Sequence, residues 1–273
     1  IDGNMVVIAA AGSGKTSVLT YRILNMVKNH GIDPTTILAV TFSKKAKESI
    51  EHRLGKLGVT GVNVETFHSL ALKIITSTYG YGKYKVWTAS WEKEKALKEI
   101  CCDLLGLCRN KDDVSYNGIL RFLGTQKTNM LGPMDELIYS DEDPYPDDRM
   151  KKIYKMYEDY KKDKSYIEFD DFLNMANQCF DKFSDILKFY QDKYLYVLSD
   201  EFQDVSMAQS LLLKRINNKN TMIVGDPLQA IYSFRGGRSE YIMQFDQAYS
   251  DVKVVHLNTN YRCSSDIVRT ANM

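Results

Sequence analysis

The stretch Met5-Val6-Val7-Ile8-Ala9-Ala10-Ala11-Gly12-Ser13-Gly14-Lys15-Thr16 decides the fold. A short run, apolar on both faces, gives way to a glycine loop, as a buried parallel strand does at its carboxyl end. Beyond the loop Leu19, Ile23, Met26 and Val27 recur at i, i+4, i+7 and i+8 until Gly31 closes the run, which predicts an amphipathic helix. A glycine loop between a strand and a helix is a phosphate cradle. Its glycines turn backbone N–H groups inward, and the helix N-terminus adds positive potential. Lys15 reaches the outer phosphates and Thr16 offers a magnesium ligand. Ala11, Gly12, Ser13, Gly14, Lys15, Thr16 and Ser17 form the expected nucleotide-binding set. Ala9 stands where the general pattern has its first glycine.

The same texture recurs. Ile37–Phe42, Val62–Val64, Tyr194–Leu198, Met222–Val224 and Val252–Leu257 read as further buried strands, most of them followed by helical patterns. After the second, Ser43 is placed to cap a helix carrying Ala46, Ile50 and Leu54. Strand–helix alternation of this kind implies βαβ units around a parallel sheet. Residues 80–193 read differently. Trp91, Leu97, Ile100, Leu104 and Leu105 are predicted to share one helical face. Ile119, Phe122 and Leu123 form a second face, and Ile153, Tyr157 and Tyr160 a third. The acidic, proline-bearing stretch from Pro133 to Asp148 is expected to be a solvated loop. The predicted organisation is α/β: a RecA-like P-loop NTPase domain (1–79 and 194–273) with a parallel sheet, interrupted by an all-helical insertion subdomain (80–193).

Tyr194-Leu195-Tyr196-Val197-Leu198-Ser199-Asp200-Glu201 carries the second signal. A strand ending in adjacent carboxylates supplies one group to hold hydrated Mg²⁺ (Asp200, with Thr16) and one to orient or deprotonate a water (Glu201). At the next strand end, Gln229 is suited to a γ-phosphate. Tyr232, Phe234 and Arg235 are suited to stacking and phosphate contact, although such aromatics are also common in cores. A GTPase or small-molecule kinase fits the phosphate loop only, and the guanine-reading tetrapeptide Asn-Lys-x-Asp is not expected. Phe169-Asp170-Asp171-Phe172 reads as a helix start, with Asp170 or Asp171 capping and Phe172 packing.

Lys+Arg 36 against Asp+Glu 35 excludes a uniformly basic coat, so any polyanion site is local. Five cysteines without a CxxC pair give neither a zinc pattern nor a disulfide framework, which suits a reducing, cytoplasmic setting. No apolar run reaches membrane-spanning length.

Taken together, the motifs resemble the UvrD/Rep/PcrA family of superfamily 1 DNA helicases, to which RecB and AddA helicase–nuclease subunits are related. They run in order: Ala9 to Thr16, Thr41-Phe42-Ser43-Lys44-Lys45-Ala46, Thr66-Phe67-His68-Ser69, Phe169 to Phe172, Asp200-Glu201-Phe202-Gln203-Asp204, Gly225-Asp226 with Gln229 and Tyr232 to Gly236, and Asn260-Tyr261-Arg262. The resemblance implies an ATP·Mg²⁺ site of Lys15, Thr16, Asp200, Glu201, Gln229 and Arg262, with Tyr261 near the adenine. Lys15, Glu201, Gln229 and Arg262 would be the catalytic members. It also implies a single-stranded DNA track along Phe42, His68, Tyr232, Phe234 and Arg235, with Lys44 and Lys45 nearby, and partners that include single/double-strand junctions. ATP-driven 3′→5′ translocation and unwinding would be the activity of the whole protein; a RecB/AddA-type subunit is the alternative. The chain departs from the family where Ser17 replaces a common arginine and Phe234 a common tryptophan. It begins with Ile1, past the family's adenine-reading glutamine, and ends before a second RecA-like domain. The chain alone is therefore expected to bind nucleotide and DNA without motor activity.

Overall fold

The computed structural model describes residues 2–107, 115–145, 147–230 and 239–271. Six parallel strands form the central sheet: β1 (Met5–Ala9), β2 (Ile37–Thr41), β3 (Asn63–Thr66), β6 (Tyr196–Ser199), β7 (Thr221–Gly225) and β8 (Lys253–Leu257), in the order β3-β2-β6-β7-β1-β8. They are the six runs read from the sequence. Their registers are continuous, with Val6 opposite Ile223 and Val254, and Ala39 opposite Val64 and Leu198.

Helices cover both faces. α1 (Lys15–His30) and α2 (Lys44–Lys56) bury Leu19, Ile23, Met26, Ile50 and Leu54 against one side of the sheet. Each such side chain, fully removed from water, contributes roughly 1.5–3 kcal/mol. Gly31 ends α1 in the left-handed region (φ 65), and Ser43 caps α2 by accepting from the Ala46 N–H. On the other side lie α3 (Phe67–Tyr79), α7 (Phe169–Lys182), α8 (Ser184–Lys193) and α9 (Met207–Ile216), sharing one core with Leu38, Val40, Val197 and Ile223. Two short helices, α10 (Glu240–Met243) and α11 (Phe245–Ala248), add Ile242 and Phe245 to it.

The segment between α3 and α7 builds its own core. α4 (Ser90–Lys98), α5 (Tyr116–Thr128) and α6 (Asp148–Asp163) bury Leu97, Ile119, Phe122, Leu123, Ile153 and Tyr157 around Trp87. The Trp87 ring stacks on Tyr157, Tyr160 and Tyr166, with centroids 4.9–5.9 Å away. Three expectations need correcting here. The segment is not wholly helical, because β4 (Lys85–Val86) and β5 (Tyr166–Ile167) pair in parallel where the chain enters and leaves it. Trp91 and Leu104 are exposed rather than core: Trp91, six residues before Leu97, falls off the buried face of α4, and a π-helical stretch over Glu99–Leu104, wider than 3.6 residues per turn, rotates Leu104 out of the predicted stripe. Cys102 is disulfide-bonded, although the cysteine pattern gave no reason to expect pairing; Cys101, Cys179 and Cys263 are free.

α12 (Ser265–Ala271) completes the described elements. No helix among the described residues is long and apolar enough to cross a membrane.

Candidate functional site

Because the strands are parallel, every strand-end motif emerges at the same edge of the sheet, where an open α/β sheet offers its ligand crevice. Lys15, 9% exposed, brings its Nζ 3.0 Å from Glu201 Oε2 and 3.4 Å from Gln229 Oε1. One residue on, the Thr16 hydroxyl donates to Asp200 Oδ2 at 2.9 Å. Residues 184 and 186 positions apart in the chain thus meet in one cleft.

Local backbone geometry sets this arrangement. Gly12 and Gly14 adopt φ 72 and φ 89, open to glycine at little cost. Glu201 takes φ 50, a left-handed conformation that costs a non-glycine residue free energy and turns its carboxylate out of the strand direction toward Lys15. Its N–H donates to Asp200 Oδ1 at 2.9 Å, fixing one carboxylate with the backbone of the other. Burial, and then the charge of Glu201, pushes Asp200 up to about 6, against the Thr16 hydroxyl. A divalent cation is the natural counter-charge for such a pair, and Thr16 with Asp200 supplies the oxygen donors that Mg²⁺ prefers.

The cradle also fits a nucleotide polyphosphate. Among the described residues, the buried hydroxyls of Ser13, Thr41 and Ser199 have no hydrogen-bond partner. All three belong to the loop or to the carboxyl ends of β2 and β6. A buried orphan donor in the glycine loop, as Ser13 is, is what an oxygen-rich anion would satisfy.

Two residues outside the expected set hold the cleft together. Gln203 donates from Nε2 to Glu201 Oε2 (2.9 Å), while its Oε1 accepts from the Asp226 N–H (3.0 Å). It ties the β6 end to the β7 end. Gly225 makes room for this, because a Cβ there would lie 2.5 Å from Gln203 Oε1. Asp226 accepts from Gln229 Nε2 at 2.6 Å, leaving Gln229 Oε1 facing Lys15. The spacing Asp-Glu-x-Gln and Asp-x-x-Gln carried both signals, which become legible once the strand ends are known to be neighbours.

Asn260-Tyr261-Arg262 packs on the loop itself. The Tyr261 N–H donates to the Gly12 carbonyl at 3.0 Å, and Asn260 Oδ1 accepts from the Arg262 and Cys263 N–H groups. Tyr261 is exposed and lines a cavity of about 650 Å³ with Ser13, Gly14 and Ser17, while Arg262 is exposed beside the loop. Ser17, where the family often has an arginine, accepts from Arg53 Nη1 of α2 at 3.0 Å. A Cβ on Gly12 would fall 2.6 Å from Asn260 Oδ1 and 2.8 Å from Arg262 Cβ. Gly12→Ala is therefore expected to lower stability by about 1–2 kcal/mol through the positive φ alone. It should also displace the Asn260–Arg262 segment and weaken ATP·Mg²⁺ binding; thermal melts with and without nucleotide check both.

The expected DNA-track residues are only partly within view. Phe42 follows β2 and His68 lies in the first turn of α3, which a Thr66–Ser69 capping box fixes. Both line a cavity of about 890 Å³ between the α/β core and α5. Burial pushes His68 below the usual imidazole range, against Asp170. Lys44 and Lys45 are exposed at the start of α2. Tyr232, Phe234 and Arg235 lie outside the described residues. Ala11 is exposed at the loop's outer edge.

Comparison with known proteins decides the family. Residues 1–250 match the model of the UvrD/REP helicase N-terminal domain. The chain belongs to this family. Among curated relatives, it is 32% identical to DNA helicase II of Rickettsia typhi over 99% of the chain and 42% of that protein. It is 31% identical to the ATP-dependent DNA helicase PcrA of Bacillus subtilis and to that of Leuconostoc citreum, over 99% of the chain and 37% of each. The chain thus spans about two fifths of the length of these relatives. The UvrD/REP match also sets aside the GTPase reading on firmer ground than the sequence did. Asn110-Lys111-Asp112-Asp113 does have the Asn-Lys-x-Asp form, contrary to expectation; it belongs to the inserted segment and lies outside the described residues.

Proposed function

We propose that the chain is the ATP·Mg²⁺-binding unit of a 3′→5′ DNA helicase acting in DNA repair, replication or recombination, and that it also contributes part of a single-stranded DNA track. The convergence of Lys15 with Glu201 and of Thr16 with Asp200 in one cleft carries this reading. Lys15 would bind the outer phosphates, Asp200 and Thr16 would hold Mg²⁺ partly through water, and Glu201 would orient the attacking water. Gln229 and Arg262 would respond to the γ-phosphate, with Tyr261 against the base. Bound magnesium would neutralise charge on the phosphates. Residues 1–79 and 194–273 form the nucleotide-binding unit in this proposal. Residues 80–193 form the insertion, with α7 and α8 as its foot on the α/β core.

Turnover at motor rates is assigned to this unit paired with a second RecA-like domain bearing its own arginine, a contribution worth roughly 10³–10⁵ in rate where such residues act. DNA, including single/double-strand junctions, would be engaged by the same pair, and a cytoplasmic location goes with that substrate. The RecB/AddA-type alternative shares all of this chemistry, so only the activity of the whole protein separates the two.

The 273-residue chain is expected to bind fluorescent ATP analogues only weakly without Mg²⁺ and more tightly with it. It should also bind oligo(dT) in preference to blunt duplex, with affinity falling as salt rises. Preference for duplex, or robust DNA-stimulated hydrolysis by the chain alone, contradicts the reading.

A further inference from the structure

Glu65 is a buried carboxylate that the nucleotide cleft does not use. It is 3% exposed and sits on β3, at the edge of the sheet, opposite Val40. Three donors reach it from two helices. Lys47, in the first turn of α2, lies 3.1 Å from Oε2. Lys73, in the second turn of α3, pairs with Oε1, and the Ser69 hydroxyl donates to Oε2 at 2.5 Å. Burial alone would raise the Glu65 carboxyl, but Lys73, Ser69 and Lys47 hold it below the usual range, so it is charged at neutral pH. The apolar faces of α2 and α3 belong to separate cores on opposite sides of the sheet. One side chain at the sheet edge links them.

A β-branched residue would fill the same strand position without the cost of desolvating a charge. What the carboxylate adds is placement. By taking the Ser69 proton, it leaves the Ser69 oxygen to accept from the Thr66 N–H at 2.9 Å, while the Ser69 N–H donates to Thr66 Oγ1 at 3.1 Å. That reciprocal pair fixes the first turn of α3, which carries His68. By holding Lys47, the same carboxylate fixes the first turn of α2, directly after Phe42 and the Ser43 cap. Phe42 and His68 line the 890 Å³ cavity together.

We propose, resting on the proposed function, that Glu65 is a positioning residue for the single-stranded DNA track. It contacts α2 and α3 rather than the strand itself, and by tying the two helices it sets the spacing of Phe42 and His68. The link requires a carboxylate, because a neutral amide can keep the Ser69 bond but cannot hold two ammonium groups.

The test titrates 5′-labelled oligo(dT) by anisotropy, at several salt concentrations, into the unaltered chain, Glu65→Gln, His68→Ala, Phe42→Ala and the double variant Glu65→Gln/His68→Ala. Glu65→Gln is expected to weaken binding about threefold or more with the salt slope unchanged, because the number of neutralised phosphates stays the same. In the His68→Ala background the same substitution should cost less than about twofold, since a group it positions is gone. A merely structural role costs the same in both backgrounds. Binding of a fluorescent ATP analogue should not change, because three strands separate β3 from β1 and its phosphate loop. Equal weakening in both backgrounds, or none while Phe42→Ala or His68→Ala weakens binding, overturns the positioning role and leaves the track standing. Tighter binding with a steeper salt slope overturns it too, because Glu65 would then be masking Lys47 and Lys73. If the unaltered chain does not bind oligo(dT), or if neither Phe42→Ala nor His68→Ala matters, the track fails and this inference with it. Should Glu65→Gln melt early, Lys73→Met, at a side chain 58% exposed, repeats the cycle with His68→Ala.

Discussion

Lys15→Ala is expected to remove Mg²⁺-dependent ATP binding by the chain and to lower DNA-stimulated turnover by about 10²–10³-fold wherever the complete motor is assayed. The size follows from losing one positioned donor aimed at charge that develops during phosphoryl transfer. Lys15 is the cation that the cleft directs at its centre. It is buried to 9% exposure, flanked by Glu201 at 3.0 Å and Gln229 at 3.4 Å, and carried on the first turn of α1, where the helix dipole adds to its effect. The fold should survive the substitution. The pair with Glu201 is partly exposed on the acidic side, and such pairs contribute little to stability. Equilibrium binding of a fluorescent ATP analogue, with phosphate release in parallel, checks the prediction. Normal DNA-stimulated hydrolysis by Lys15→Ala would remove the cleft from the reaction.

Much of this site was legible because parallel β-topology leaves little freedom. Once Met5–Ala9, Tyr196–Ser199 and Thr221–Gly225 are strands of one parallel sheet, the residues after each must share an edge. The meeting of Lys15 with Glu201 follows from topology rather than from any local pattern. What escaped the sequence depends on side chains reaching across the sheet edge. Gln203 bridges Glu201 to Asp226, and its spacing from Asp200-Glu201 acquires that meaning only once the β6 and β7 ends are known to be neighbours. In the insertion the helical period itself misled. Leu97 and Ile100 are buried as predicted, but the wider π turn carries Leu104 to the surface. Phe169-Asp170-Asp171-Phe172 reads as a helix start, and α7 does begin at Phe169. Its N-cap, however, is Glu168, and Asp171 closes the capping box from the third position, accepting from the Glu168 N–H at 2.7 Å. The second partner of Asp171, a pair of buried lysines from other helices, has no sequence signature at all.

That buried network carries the largest stability effect expected in the molecule. Lys127 of α5 lies 2.7 Å from Asp171, 2.9 Å from Glu158 and 3.1 Å from Glu168, while Lys161 of α6 lies 2.6 Å from Asp171 and 2.8 Å from Glu158. Lys93 of α4 reaches Glu168 at 2.7 Å, and the Tyr157 hydroxyl donates to Glu168 at 3.0 Å. Three cations and three anions balance where α4, α5 and α6 meet the start of α7, whose apolar face packs against the sheet. Three carboxylates clustered this closely could suit a metal ion, but the two ammonium groups lodged among them already provide the counter-charge.

Burial alone would push Lys127 down; Asp171, Glu158 and Glu168 hold it well above the usual lysine range instead. Burial would likewise raise Glu168, yet Lys127 and Lys161 bring it from 4.5 to about 2, and Asp171 is lowered by the same two lysines. Lys127→Met keeps the stem's apolar contacts and removes the charge, leaving the carboxylates under-compensated. Breaking a buried pair from one side costs about 3–5 kcal/mol. Both tryptophans, Trp87 and Trp91, lie in the insertion, and Trp87 is buried among its tyrosines, so tryptophan fluorescence during urea unfolding reads the affected core directly. The sign of the pH dependence follows from the depressed carboxylates: their stabilisation is fully present above the ordinary glutamate range and is lost as pH falls from about 4.5 toward 2. The deficit of Lys127→Met should therefore be largest near neutral pH and shrink through that acid window. A deficit below about 1 kcal/mol at pH 7, or one that does not change with acid, would mean that the ion cluster does not join α4, α5 and α6 to α7.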